Sequence, residues 1–336
     1  MTNLPIVLYH YDASPFASKA KSMLLVKGIP HKRVSVSMRM PRPEITDLLG
    51  LGYRRIPLLA IGNDVYCDTG LIASVLERRF PVTAGHPPLF PPRVGGGRTD
   101  GALAKLLMRY WADSALFRLA VDSLPYAKFD QEFIQDRKEF FGEDPETLSE
   151  NQGVRTSAIA SHLALVEEQL ADGRQWLMDT ESVGLVDLAA HTFFTWMRRF
   201  KSLHGLFNED SIPCTLAWIT RTTELLKVAE GTNAAAFEEM AAEDAAKLIA
   251  SSPHEDESTV GFEIEEGTRL SVNVGDMVSI TPVDTGPIPT VGRLLALSRA
   301  ESVVEVTGSV GNIRFHFPRL EFVLRPVNVT QASNRL

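Results

Sequence analysis

Ser14-Pro15-Phe16-Ala17-Ser18-Lys19 follows an apolar run, Ile6 to Tyr9, and about forty residues later come Arg55-Ile56-Pro57-Leu58 and then Asp68-Thr69. The first piece carries the clearest chemistry. Ile6 to Tyr9 has the pattern of a short strand, and Ser14 sits where that strand turns into a helix whose first turn suits Pro15, because the missing N–H would be unpaired there anyway. A hydroxyl at a helix N-terminus favours an anion, and both the donated O–H bond and the positive end of the helix dipole stabilise a thiolate over a thiol. Ser14 also fits a plain N-cap, a role serine fills well. Tyr11 and Cys67 compete for the thiol. Cys67 neighbours Asp68 on a strand whose side chains alternate, so a ligand-facing Asp68 turns Cys67 to the core as an inert thiol.

The surrounding pattern supplies the elements that must hold these residues. A strand at Ile6 to Tyr9, a helix from Pro15 to Lys27, a strand at Lys32 to Ser37, strands at Leu58 to Ile61 and Val65 to Cys67, and a helix from Gly70 to Phe80 describe a β-α-β unit followed by a hairpin and a helix. Gly62-Asn63-Asp64 supplies the hairpin turn. The stretch Pro81 to Gly97 holds five prolines and four glycines, so it reads as a linker, assigned to 83–97.

These residues resemble the thioredoxin-fold glutathione transferases. Ser14-Pro15-Phe16-Ala17 with Leu24-Leu25-Val26-Lys27-Gly28-Ile29-Pro30 is similar to the Cys-Pro-Phe-Ala motif and Lys-Gly-Ile turn of the omega-like classes, with serine in place of cysteine. Ile56-Pro57 resembles the pair in which a cis proline exposes the preceding backbone to the cysteinyl part of glutathione; cis bonds are almost confined to X-Pro. Asp68-Thr69 resembles the acidic-hydroxyl pair at a helix start. The resemblance implies that Thr69 and the helix amides take the γ-glutamyl carboxylate while Asp68 faces its ammonium. It also implies glutathione as cosubstrate or cofactor, with Ser14 catalytic and Phe16, Arg55, Ile56, Pro57, Asp68 and Thr69 binding it. Of Arg54 and Arg55, adjacent on an extended stretch, at most one points at a ligand carboxylate.

Serine in the cysteine position excludes a mixed-disulfide intermediate. The implied reactions are conjugation of glutathione to a small electrophile, or cis/trans isomerisation of a conjugated alkene by reversible thiolate addition, in which glutathione is not consumed. A non-catalytic glutathione-binding scaffold is the third reading.

From Arg98 to about Ala250 the apolar residues recur at three-and-four spacing, as in Leu103, Leu106, Leu107 and Tyr110, and in Ile159, Leu163, Val166 and Leu170. An all-α domain over 98–252 follows. By resemblance its first helix supplies the second-substrate wall, with Tyr110, Trp111, Ser114 and Phe117 joining Tyr11 as candidates; core packing would also place Trp111 and Phe117. Gly184-Leu185-Val186-Asp187 keeps the aspartate of the family's buried capping box and loses its hydroxyl, a structural role.

Beyond the acidic break His254 to Glu257 come short strand signals at Gly261 to Glu265, Met277 to Pro282, Thr290 to Leu297, Ser302 to Thr307, Asn312 to Phe317 and Glu321 to Val327. They predict a small all-β domain over 258–330, an antiparallel barrel or sandwich. The expected fold is thus an α/β thioredoxin-like domain (1–82), an all-α domain and a small β-domain. Ordinary glutathione transferases end in helices, and the composite chain resembles a fungal transferase-like group.

With 336 residues there is room for several cores, and 44% hydrophobic with 23% charged residues is ordinary for a globular protein. A formal net charge of -8 argues against a nucleic-acid surface. No run has the roughly 18 apolar residues of a membrane span, and no secretory signal precedes the motif. Two cysteines, Cys67 and Cys214, make no disulfide framework, so a cytoplasmic setting is expected. The eight histidines show no metal spacing. Asn334-Arg335-Leu336 differs at two of three positions from a peroxisomal tail. By resemblance a homodimer is the default.

Overall fold

The computed structural model describes residues 4–142, 151–232 and 235–327; the tail Asn334-Arg335-Leu336 lies outside them. In chain order the elements are β1 (Ile6–His10), α1 (Pro15–Lys27), β2 (His31–Ser35), α2 (Pro43–Thr46), β3 (Leu58–Ile61), β4 (Asp64–Cys67), α3 (Thr69–Arg79), α4 (Gly101–Leu106), α5 (Phe117–Asp122), α6 (Gln131–Phe141), α7 (Gln152–Leu170), α8 (Leu185–Met197), α9 (Pro213–Gly231), β5 (Phe237–Glu239), α10 (Ala242–Ala250), α11 (Ile264–Leu270), β6 (Met277–Pro282), β7 (Thr290–Leu297), β8 (Glu301–Gly308), β9 (Gly311–Pro318) and β10 (Phe322–Pro326). Between α4 and α5 the backbone is π-helical over Leu107–Leu116.

The chain divides into two compact units, one of Met1–Ser14, His31–Ile72 and Phe237–Leu336, the other of Pro15–Pro30 and Ala73–Ala236. All the strands belong to the first. They form one ten-stranded sheet in the order β10-β6-β7-β8-β9-β4-β3-β1-β2-β5. β1 pairs parallel with β2 and antiparallel with β3, and β3 pairs antiparallel with β4, the arrangement of a thioredoxin-like domain. β3 and β4 are buried along their whole length, which suits their near-continuous apolar runs. Gly62 turns the β3–β4 hairpin at φ 67, where a Cβ would lie 2.3 Å from the Pro253 carbonyl oxygen, so both conformation and space require glycine.

The C-terminal strands are antiparallel, as the spacing predicts. β6 to β9 form a meander, and β10 returns to pair β6 at the edge of the sheet. The sequence pattern did not indicate that β9 pairs parallel with β4, so the C-terminal strands continue the N-terminal sheet. Nor did it indicate β5, an exposed three-residue strand on the outer side of β2.

Gly261 to Glu265, expected as a strand, instead leads into α11, and Phe262 keeps only a single bridge to Leu297. Glu265 and Glu266 in the first turn favour a helix N-terminus, and Gly267 lets the Phe262 ring approach where a Cβ would stand 2.5 Å away.

The second unit is helical among its described residues. α1 packs on α8 and α9, and α7 on α9, around Phe193, Phe194 and Trp218. The N-terminus of α8 is held by Asp187, whose carboxylate accepts from the Leu177 and Gly184 backbone N–H groups and from Trp218 Nε1 at 2.9, 3.1 and 2.9 Å. Burial raises its carboxyl to about 6 in spite of these donors. Gly184 leaves the capping box half made, as expected; a Cβ there would stand 3.4 Å from the Pro91 ring.

Candidate functional site

Strand register assembles the candidate residues. Tyr9 on β1 is level with Leu58 on β3, and Leu58 is level with Cys67 on β4. β1 ends one residue beyond Tyr9 and leads to Ser14, Ile56-Pro57 immediately precedes Leu58, and Asp68-Thr69 immediately follows Cys67. Adjacent strands lie about 4.8 Å apart. The three segments singled out from sequence therefore emerge at the same end of three neighbouring strands, in the first unit.

Each segment has the local geometry its residues suggest. Ser14 is buried, and its backbone N–H donates to the Tyr11 carbonyl at 3.2 Å as the chain turns into α1. The Ile56–Pro57 peptide is cis. Asp68 has φ 76, a left-handed conformation that aspartate tolerates better than most residues, and its Oδ1 accepts from the Gly70 N–H at 2.8 Å. That bond caps the start of α3 from the residue that precedes it. Thr69 beside it is buried, with its hydroxyl at the helix start.

Other candidates are engaged elsewhere. The Arg55 guanidinium pairs with Asp284 and donates from Nε to the Thr285 carbonyl at 3.0 Å, so the loop between β6 and β7 holds it. Tyr11 is half-buried, with the Arg42 guanidinium 5.6 Å from its ring centroid. Cys67 is fully buried, and burial, reinforced by Asp68, pushes its thiol well above the ordinary range, in keeping with an inert core cysteine.

In the second unit Phe16 meets Phe117 edge-on at 4.7 Å and Phe193 at 5.6 Å, and Phe117 also stacks on Trp196 at 6.5 Å. Phe16 and Phe117 thus belong to one aromatic cluster. Trp111 donates from Nε1 to His162 at 3.3 Å. Tyr110 and Ser114 are exposed on the π-helical stretch, a geometry more frequent at functional sites than in ordinary helices.

Two buried charge clusters escaped the sequence reading. Lys19 on α1 is wholly buried, pairs with the buried Asp113 and lies 5.0 Å over the Phe16 ring. In the first unit His316 on β9 lies between two buried carboxylates: Nε2 is 3.0 Å from Asp64 Oδ1 and Nδ1 is 2.6 Å from Glu301 Oε1. Burial by itself would lower the His316 pKa, but the bonds to Asp64 and Glu301 outweigh it and the net direction is upward, toward imidazolium. The alternation Ile313-Arg314-Phe315-His316-Phe317 carries a signal, since a histidine and an arginine opposite three apolar residues mark the face that must be either solvated or paired.

Among the described residues no group of three His, Cys, Asp or Glu side chains is placed to hold a metal, and no helix is long and apolar enough to cross a membrane.

Residues 8–88 match the family model described as the glutathione S-transferase N-terminal domain. Residues 117–231 match a domain of unknown function, DUF7962. A GST-like protein from Pseudomonas syringae is similar in structure, with a TM-score of 0.68 and 24% identity over 96% of this chain and 99% of that one, so the C-terminal strands fall within the likeness. FzlA from C. crescentus has a TM-score of 0.51 and 21% identity over 68% of this chain and 92% of its own.

Proposed function

We propose that the chain binds glutathione at the shared end of β1, β3 and β4 and uses it as a nucleophile. The observation that carries this reading is the level row Tyr9, Leu58 and Cys67, which brings Ser14, the cis Ile56–Pro57 bond and the Asp68-Thr69 helix start to one end of three adjacent strands. The N-terminal family match over residues 8–88 supports it.

In this reading the Thr69 hydroxyl and backbone N–H at the start of α3 take the γ-glutamyl carboxylate, and Asp68 attracts the ammonium beside it. The Ile56 backbone takes the cysteinyl segment. Ser14 donates its O–H to the sulfur at the start of α1 and lowers the thiol pKa; each unit of depression is about 1.4 kcal/mol and nearly tenfold more thiolate near neutral pH. Without a cysteine at position 14, the thiolate attacks carbon. Conjugation to a small electrophile is the reaction proposed, and reversible addition to a conjugated alkene, giving isomerisation, uses the same activated sulfur.

Titration calorimetry with glutathione, followed by turnover of an aryl halide by the parent and by Ser14→Ala, tests the reading. The expected results are saturable binding and a fall of about tenfold in turnover, the loss of one hydrogen bond to an anion. Absence of glutathione binding, or equal turnover by the variant, rejects it.

A further inference from the structure

We propose that the C-terminal strands are a working part of the ligand site, positioning Asp68-Thr69 and Ile56–Pro57 through two contacts, the buried chain Asp64–His316–Glu301 and the Arg55–Asp284 pair. The inference rests on the glutathione reading for the ligand, and on the geometry alone for the positioning.

β4 has four residues and runs straight into Asp68-Thr69. On one side a tight hairpin ties it to β3. On the other it pairs parallel with β9, about 250 residues later in the chain, at Asp64–Arg314, Val65–Phe315 and Tyr66–His316. No short turn sets the register of such a pairing, and a slip of one residue sends every side chain to the opposite face. Here the slip would strand Asp64, whose side chain is 1% exposed, without the His316 imidazole that Glu301 holds from the neighbouring β8. An uncompensated buried charge is strongly unfavourable, so the chain of three acts as a register lock. The Tyr66 ring, 4.5 Å from His316, packs against the same seam, and Asn63 Nδ2 lies within hydrogen-bond distance of the Asn312 carbonyl at 3.1 Å. A slip also displaces β9 by about 3.3 Å along β4, the strand that runs into Asp68-Thr69, more than the hydrogen bonds between them tolerate.

The segment that leads into Ile56–Pro57 is seated on the same strands. A Cβ at Gly52 would come within 2.4 Å of the Pro289 carbonyl oxygen. The Tyr53 ring meets Phe317 and Phe322 at 5.9 Å each, and Arg55 reaches Asp284 and the Thr285 carbonyl. Asp284 thus holds the residue adjacent to the cis bond, and Arg55 acts as a positioning residue.

The test uses the full chain carrying His316→Gln or Asp284→Ala, each measured well below its own melting temperature. Hydrogen exchange under native conditions is expected to quicken over residues 64–72 in His316→Gln and over 50–58 in Asp284→Ala. The glutathione Kd is expected to rise about tenfold in the first and about threefold in the second, with turnover at saturating glutathione held within about twofold because Ser14 is untouched. A merely structural seam would lower the melting temperature and leave Kd unchanged. Exchange that quickens only over 301–318 or 277–290, with Kd unaltered, overturns the proposal. Should His316→Gln not fold, the partly exposed Asp284→Ala decides. Should the parent not bind glutathione, the ligand reading fails while hydrogen exchange still decides the positioning.

Discussion

The two halves of the ten-stranded sheet are built by different rules. β3 and β4 are covered on both faces and are largely apolar; the charged residue within them is Asp64, at the hairpin end of β4 away from the candidate site. β6 and β10 alternate buried and open positions, with Ser279, Thr281, Val323 and Arg325 on the open face. β9 belongs to the second half in sequence and to the first in burial. Its alternation reads as a strand with one wet face, yet five consecutive residues from Ile313 are buried because β4 and β8 flank it. The difference teaches that a polar residue on an alternating strand becomes a buried charge once the strand is central, and must then be matched. Arg314 reaches Glu257 at 2.7 Å, and His316 takes two carboxylates.

The largest expected effect tests that contrast. His316→Leu leaves Asp64 and Glu301 buried without their counter-charge and should cost about 3–5 kcal/mol in chemical denaturation, whereas a β9 that tolerated leucine would make the seam an ordinary edge. Next comes Gly52→Ala, which drives a methyl group into the Pro289 carbonyl and should cost about 1–3 kcal/mol in the same measurement.

The pH dependence sharpens the comparison further. His316 faces Asp64 and Glu301, with the Tyr66 ring tilted against it and Glu255 bonded to both Asp64 and Tyr66. Its folded pKa is raised, so the stability it contributes is fully present below the unfolded value of about 6.5 and is lost as pH rises through the folded value. The stability difference between the parent and His316→Gln should therefore shrink from slightly acid toward alkaline pH; a constant or widening difference would show that the imidazole is not charged in the fold. Smallest of all, Arg325→Ala on the open face of β10 should change stability by less than about 0.5 kcal/mol.

Much of the fold was legible because local physics dictates it. Pro15 opens α1 and Lys27-Gly28 closes it, with Gly28 at φ 62, so the helix lies where the pattern placed it. Leu58–Ile61 is the strand its four apolar residues describe. Five of the six C-terminal strands appear within a residue or two of their predicted bounds, because β-branched and aromatic runs punctuated by glycine leave few alternatives. Gly261 to Glu265 misled because Phe262-Glu263-Ile264-Glu265 mimics strand alternation over too short a window. In the site, Ser14, Ile56-Pro57 and Asp68-Thr69 were legible as short motifs. Arg55 was not: a guanidinium two residues before a cis proline is chemically suited to a ligand carboxylate and equally suited to Asp284, and only the folded β6–β7 loop brings the latter within reach.

By itself the sequence determined most of the elements, the order of the three segments of the candidate site and a hydroxyl at position 14, since these depend on residues near one another along the chain. Tertiary structure decided that the C-terminal strands continue the sheet through β4, and that Lys19 and Asp113, and Asp64, His316 and Glu301, are buried and paired with one another in the interior. The reason is that long-range parallel pairing and charge burial depend on which distant surfaces meet, and neither is encoded in local periodicity.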